Sequence, residues 1–478
     1  MMKSLILVLI LNFVGLTLYA QFPISSEEMR EDFDIFRNSI KEIHPGLYWY
    51  ADSAEIKRRF NKVESSISHE LELKDFYGIL QKFYAGIRCG HSWMSMPWKW
   101  RSYIDNGPYR IPINFYLEKD RIIVMHNLSN NSSFAEGLEV LSINGIKSKE
   151  ILNSLTQYIP TDGYAKTRQI RILSGNFSRY YQVQYGMDSI FNLQLKQEGE
   201  IKVVELKGLP NDEANQRSID RHPRKDRSKE PFLYFSELDN EIAYLKIKSF
   251  DKEDIKEHNQ KYKKFLKRAF KKIDEKNLER LIIDLRGNSG GEDNYGATLA
   301  RYLIKQPFDY YLRMEATTKK FRYNQYSRQR GFNTMGKLLK KDKNKPGTYT
   351  YNFSKQVKKQ KPIKNVFEGD FVVLIDGGTF SAASEVASIL HADNRATFIG
   401  DETGGGYYGN NSAMMYGIQL PNSRINYYLP VIRYYVAVDH PPFIGRGLIP
   451  DIQIPLSYEY YTSDKDEILE TAIKSFSK

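Results

Sequence analysis

Two hydrophobic periods alternate along the chain. Met29, Phe33, Phe36 and Ile40 recur at helical steps behind Ser25-Ser26-Glu27-Glu28, a run with capping chemistry. The spacing predicts a helix that ends at His44-Pro45-Gly46, and further helices over about 54–66 and 74–84. From 108 to 205 apolar and polar residues alternate instead, with turns at Asn106-Gly107 and Asn144-Gly145, which predicts a small β-rich region. Residues 206–232 are polar, charged and punctuated by proline, as a linker is. Strand, helix, strand and helix then follow over 242–304, the signature of parallel crossover units. Residues 313–365 are basic with no clean period and read as an insertion. A strand, a Gly377-Gly378 turn and a helix occupy 371–392, a short strand Ala396–Ile399 continues the sheet, and more strands fill 412–455. The fold class is α/β and multi-domain. The divisions are a leader over 1–20, a helical region over 21–105, a β domain over 106–205, a linker over 206–235 and an α/β domain over 236–478.

The 478 residues include 34 Tyr, ample material for a core, and carry a formal net charge of +12. The cations concentrate in 217–229, 318–345 and 355–364 and are not interleaved with a nucleic-acid-binding motif, so a solvated basic surface is the reading and nucleic acid is not expected as a partner. Lys3, an apolar run and Ala20 make residues 1–20 a secretory signal peptide, and export to the periplasm or medium is expected without membrane insertion. The single cysteine, Cys89, excludes an internal disulfide.

Ser381 draws attention because it sits between a strand, a glycine turn and a helix start, where backbone N–H groups point outward. A nucleophile there would have oxyanion donors at hand; a plain helix cap would use the same residue type. Thr379-Phe380-Ser381-Ala382-Ala383, followed by Glu385, resembles the nucleophile motif of the C-terminal processing (tail-specific) serine peptidases, family S41. Leu281–Gly291, reading LIIDLRGNSGG, and Gly445–Asp451, reading GRGLIPD, resemble two further elements of that family, in the family's order.

The resemblance implies an exported serine-type peptidase acting on peptides or unfolded proteins, with Ser381 as nucleophile and no cofactor. It implies oxyanion donors from the backbone of Gly290 or Gly291 and of Ala382. Where many members carry a lysine base after the nucleophile, this chain has Gly406, so another base must serve. His91, in Gly90-His91-Ser92, matches the base of the tricorn-like branch, although Cys89 stands where an Asp is usual. Glu402 is the first choice to orient that base, with Asp439 as the alternative, and His440 is the reserve base. Gly137–Ile146 resembles an element of PDZ domains, which take peptides along a sheet edge. No metal motif is present: there is no H-E-x-x-H, and one cysteine cannot build a Cys/His cluster. The competing reading is a non-catalytic, S41-like peptide-binding protein of the cell envelope, motivated by the absent lysine and by Cys89.

Overall fold

The computed structural model describes residues 22–105, 109–223, 230–238, 241–329, 331–438 and 445–476. The signal-peptide reading, the Asn106-Gly107 turn, Asp439 and His440 fall outside these residues. Helices Ser26–Ile43, Ser53–Ser66 and Leu73–Ala85 form the N-terminal region. The first starts with a full capping box, in which Ser25 and Glu28 satisfy each other's backbone N–H groups. Among the described residues no helix is long and apolar enough to cross a membrane.

The β-rich region is an antiparallel sheet ordered Ile113–Glu118, Arg121–Asn127, Glu139–Ile143, Ile190–Gln197, Glu200–Lys207. It also holds a twenty-residue helix, Lys166–Tyr185, within the stretch read as β-rich. The stretch read as a linker is structured: Asn211–Arg221 is a helix and Leu233–Leu238 is an edge strand. Its charged composition reflects a solvated helix face, and only Ala214 of that helix is buried.

The C-terminal region is built on a six-stranded sheet ordered Leu233–Leu238, Ile242–Ile247, Arg280–Asp284, Asp370–Ile375, Ala396–Gly400, Ile452–Gln453. The first pair is antiparallel and the rest are parallel. Alternate side chains of Asp370–Ile375 explain its continuous apolar run. Phe371, Val373 and Ile375 enter the main core with helices Tyr262–Glu275, Asp293–Leu303 and Ala382–Ala392, while Val372 and Leu374 meet the C-terminal helix Glu467–Ser475. The helical stretch between the first two parallel strands is two helices, Lys252–Glu257 and Tyr262–Glu275, separated where Asn259 turns to φ 54°. The basic insertion is anchored as well: Tyr311–Ala316 pairs antiparallel with Ile432–Val436, and Phe321, Phe332 and Leu339 are buried.

One short pairing decides what faces the sheet. Strand Trp93–Ser95 joins Asn426–Leu429, with Met94 opposite Tyr427. Ser39 Oγ meets Tyr427 Oη at 2.7 Å, and the Tyr84 hydroxyl donates to the Tyr428 carbonyl at 2.6 Å. The N-terminal helices are thereby fixed to the C-terminal region, and the loop over 86–92 is delivered to the C-terminal ends of the parallel strands.

Candidate active site

In open parallel sheets the crevice at the carboxyl ends of the strands is the usual place for a ligand. Here four turns meet there. Ser249-Phe250 follows the first parallel strand, Arg286–Gly291 the second, Gly377–Ser381 the third and Asp401–Gly406 the fourth. Asp376 ties two of them together, accepting from the N–H groups of Gly287 and Gly378 at 2.8 Å each and from Arg171 at 2.9 Å. Arg286 bridges buried Asp284 to Asp466, so that pair anchors a strand end.

Ser381 precedes helix Ala382–Ala392 with φ 53° and ψ −131°. Its side chain makes no capping hydrogen bond, so the plain-cap reading does not describe it. A non-glycine residue in this region of backbone space is strained by roughly 1–3 kcal/mol, and such strain is characteristic of a serine held out at a strand-to-helix turn. Gly290 makes the turn possible: a Cβ there would lie 2.6 Å from Ser381 Cβ and 3.0 Å from the Ala382 nitrogen.

His91 Nε2 lies 3.1 Å from Ser381 Oγ. The imidazole stacks on Phe380, with centroids 4.5 Å apart, and Arg168 lies 3.4 Å over the same phenyl ring. Burial, helped by the Arg168 charge, pushes the His91 pKa down to about 3, so the ring is neutral near pH 7. Nδ1 is buried and has no hydrogen-bond partner among the described residues.

A second ionisable group escaped the sequence reading. Asp162 is 2% exposed, and its Oδ1 accepts from the Gly90 N–H, immediately before His91, at 2.7 Å. Its Oδ2 is buried and unpartnered. Burial raises its pKa to about 6, against the pull of the Gly90 N–H and of Arg168. Gly406, the position where a family lysine would stand, packs against Asp162 Cβ, and a side chain there would strike the Gly409 carbonyl at 2.7 Å. The only sequence signal for Asp162 was an Asp-Gly pair between two helical stretches.

The other assignments separate. Glu402 does not reach the base: Arg446 donates to both carboxylate oxygens at 2.7 and 2.6 Å, and the Gly447 N–H donates at 2.9 Å. It ties the Asp401–Gly406 turn to the closing GRGLIPD element, an ionic role that a motif-based reading cannot distinguish from a catalytic one. Among the nominated oxyanion donors, the Gly290 N–H is engaged by Asn288 Oδ1 at 2.9 Å. The N–H groups of Gly291 and Ala382 have no acceptor among the described residues. His44, at the end of the first helix, is buried; its Nε2 meets Ser92 Oγ at 2.7 Å and its Nδ1 accepts from the Gly46 N–H at 3.0 Å. The His44-Pro45-Gly46 helix end and the Gly90-His91-Ser92 segment, far apart in sequence, are therefore joined by a hydrogen bond next to His91. Cys89 is buried, with its thiol pushed up to about 12 by burial, and is no nucleophile.

Residues 241–454 match the model of peptidase family S41. Among solved structures, mature CPAF complexed with lactacystin superimposes with a TM-score of 0.61 at 16% identity, over 94% of this chain and 97% of that one. A CPAF mutant gives 0.62 at 14% identity, over 95% and 98%. At such identities the likeness establishes the α/β, multi-domain fold. No curated protein matches the sequence.

Proposed function

Residues 241–454 belong to peptidase family S41, and on that premise we propose that this chain hydrolyses peptide bonds with Ser381 as nucleophile and His91 as base. The observation that carries the reading is the 3.1 Å approach of His91 Nε2 to the hydroxyl of a strained, uncapped serine at the mouth of a parallel sheet. The neutral imidazole accepts the Ser381 proton as Oγ attacks the scissile carbonyl. The oxyanion develops toward the Ala382 N–H, at the positive end of its helix. His91 then gives the proton to the leaving amine, and water hydrolyses the acyl-enzyme by the same route in reverse.

An imidazole that accepts at Nε2 carries its hydrogen on Nδ1, which then needs an acceptor. Asp162 supports a positioning role better than Glu402: it grips the Gly90 N–H beside His91, although it makes no hydrogen bond to Nδ1 itself, whereas the Glu402 carboxylate is taken up by Arg446. Asp162 is thus a positioning residue in this scheme. Export rests on the leader pattern of residues 1–20.

The test is hydrolysis of an unstructured protein such as casein by wild type, Ser381→Ala and His91→Ala, with labelling by a serine-directed fluorophosphonate. The reading expects labelling at Ser381 and loss of turnover in both variants at unchanged circular dichroism. A folded wild type that neither cleaves nor labels sinks it in favour of the peptide-binding alternative.

A further inference from the structure

Away from the cleft, two side chains of the β-rich region meet one from the stretch read as a linker. His126 lies near the end of strand Arg121–Asn127, Glu136 lies in the loop before Glu139–Ile143, and His222 caps the end of helix Asn211–Arg221. One donor atom from each lies within 4.8 Å of the other two. Glu136 Oε1 is 3.2 Å from His222 Nε2, and Oε2 is 3.7 Å from His126 Nδ1. Both histidines are half-buried, and their rings stack 3.9 Å apart at 20°.

Each feature bears on a ligand. The two imidazole rings bracket one carboxylate, each with a ring nitrogen within 4 Å of a Glu136 oxygen. The carboxylate between them is held by the Asn127 N–H at 2.9 Å. Arg221, on the same helix as His222, donates to the carbonyls of Asn127 and Ser129. Tetrahedral zinc sites have metal–ligand distances of about 2.0–2.1 Å, which places donors roughly 3.3 Å apart. The observed separations of 3.2 and 3.7 Å lie on either side of that value. Two nitrogens and one carboxylate suit a borderline transition metal; calcium and magnesium take oxygen sets.

We propose that His126, Glu136 and His222 form a three-ligand site for a divalent transition-metal ion of the zinc class, with water completing the coordination. The bound ion would exchange the existing His–Glu pairings for metal bonds. It would fasten the end of helix Asn211–Arg221 to the antiparallel sheet, just before the chain passes to the first strand of the six-stranded sheet. This role is independent of peptidase chemistry.

The experiment is calorimetric titration of the chelator-treated, full-length mature protein with ZnCl2, paired with the visible spectrum of the Co2+-loaded form. Wild type is expected to bind one ion per chain and to give intense tetrahedral Co2+ bands. His126→Ala and His222→Ala should each weaken binding by at least about tenfold and abolish those bands, since even outer-shell losses cost 10–100-fold. Glu136→Gln, at an exposed loop position, gives a variant that keeps the fold if a histidine variant fails the circular dichroism check. Absence of saturable binding in wild type overturns the proposal, as does binding unchanged in the folded variants.

Discussion

The backbone N–H of Gly90 donates to Asp162 Oδ1 at 2.7 Å, which joins a carboxylate from the β-rich region to the loop that carries His91. If Asp162 orients the base in its ionised form, activity should fall as pH drops through the Asp162 pKa of about 6. In Asp162→Asn the plateau of kcat/KM should drop by roughly 10²–10⁴-fold, the range for losing a proton-transfer partner or its orientation. The acid limb should then move down toward the protonation of His91, held near 3. A pH–rate profile of both proteins checks this; a variant with wild-type plateau and limb removes Asp162 from the scheme.

Gly290 adopts φ +97° against the nucleophile, where a Cβ would meet Ser381 Cβ at 2.6 Å. Gly290→Ala must move the Ser381 turn or the glycine loop, and the positive φ adds about 1–2 kcal/mol of strain. Fluorophosphonate labelling should fall by at least about 10²-fold, as it does when oxyanion geometry is lost, in protein that still melts cooperatively. Undiminished labelling would show that the loop does not shape the site.

His44 makes stability depend on pH. Burial, aided by the Arg433 charge, takes its pKa from 6.5 down to about 3. The folded ring stays neutral while the unfolded ring gains a proton below 6.5. The contribution is therefore full above 6.5, is lost as pH falls, and is gone below about 3. Each such group costs about 1.4 kcal/mol per pH unit inside the window. Raised carboxyls such as Asp162 act with the opposite sign, so the comparison must isolate one residue. Urea unfolding between pH 6 and 4 should show a slope for wild type steeper by about that amount than for His44→Gln. Loss of the Ser92 and Gly46 contacts should also lower the variant's stability at pH 7.5 by about 1–3 kcal/mol.

Glu402 is predicted to matter for stability rather than for proton transfer. Its side chain is 5% exposed and paired with an Arg446 that is 46% exposed. Glu402→Gln should destabilise by about 1–3 kcal/mol, the range for leaving a buried charged or polar group poorly matched. The acid limb of kcat/KM in the folded fraction should stay in place. A shift of that limb would return Glu402 to the list of residues that orient the base.

Local chemistry wrote much of this molecule into the sequence. The Ser25–Glu28 capping box, the unbroken apolar run before Asp376, the glycines around Ser381 and the small residues that follow specify a strand, a tight turn and a helix start by short-range sterics and hydrogen bonding. Those constraints act within a few residues, so a reader of the chain sees them, and the Ser381 and His91 motifs were visible for the same reason. The partners of each motif are another matter. The meeting of His91 with Ser381 follows from Met94 pairing with Tyr427, and the pairing of Glu402 with Arg446, rather than with His91, follows from where Arg446 sits. Burial determines the protonation of His91, Asp162 and His44, and burial is a property of the packed chain. The His126–His222 contact likewise joins a strand to a stretch whose composition reads as a linker. Long-range contacts are selected by the whole core at once, because many weak apolar and polar terms must be satisfied together, and no local pattern encodes that sum.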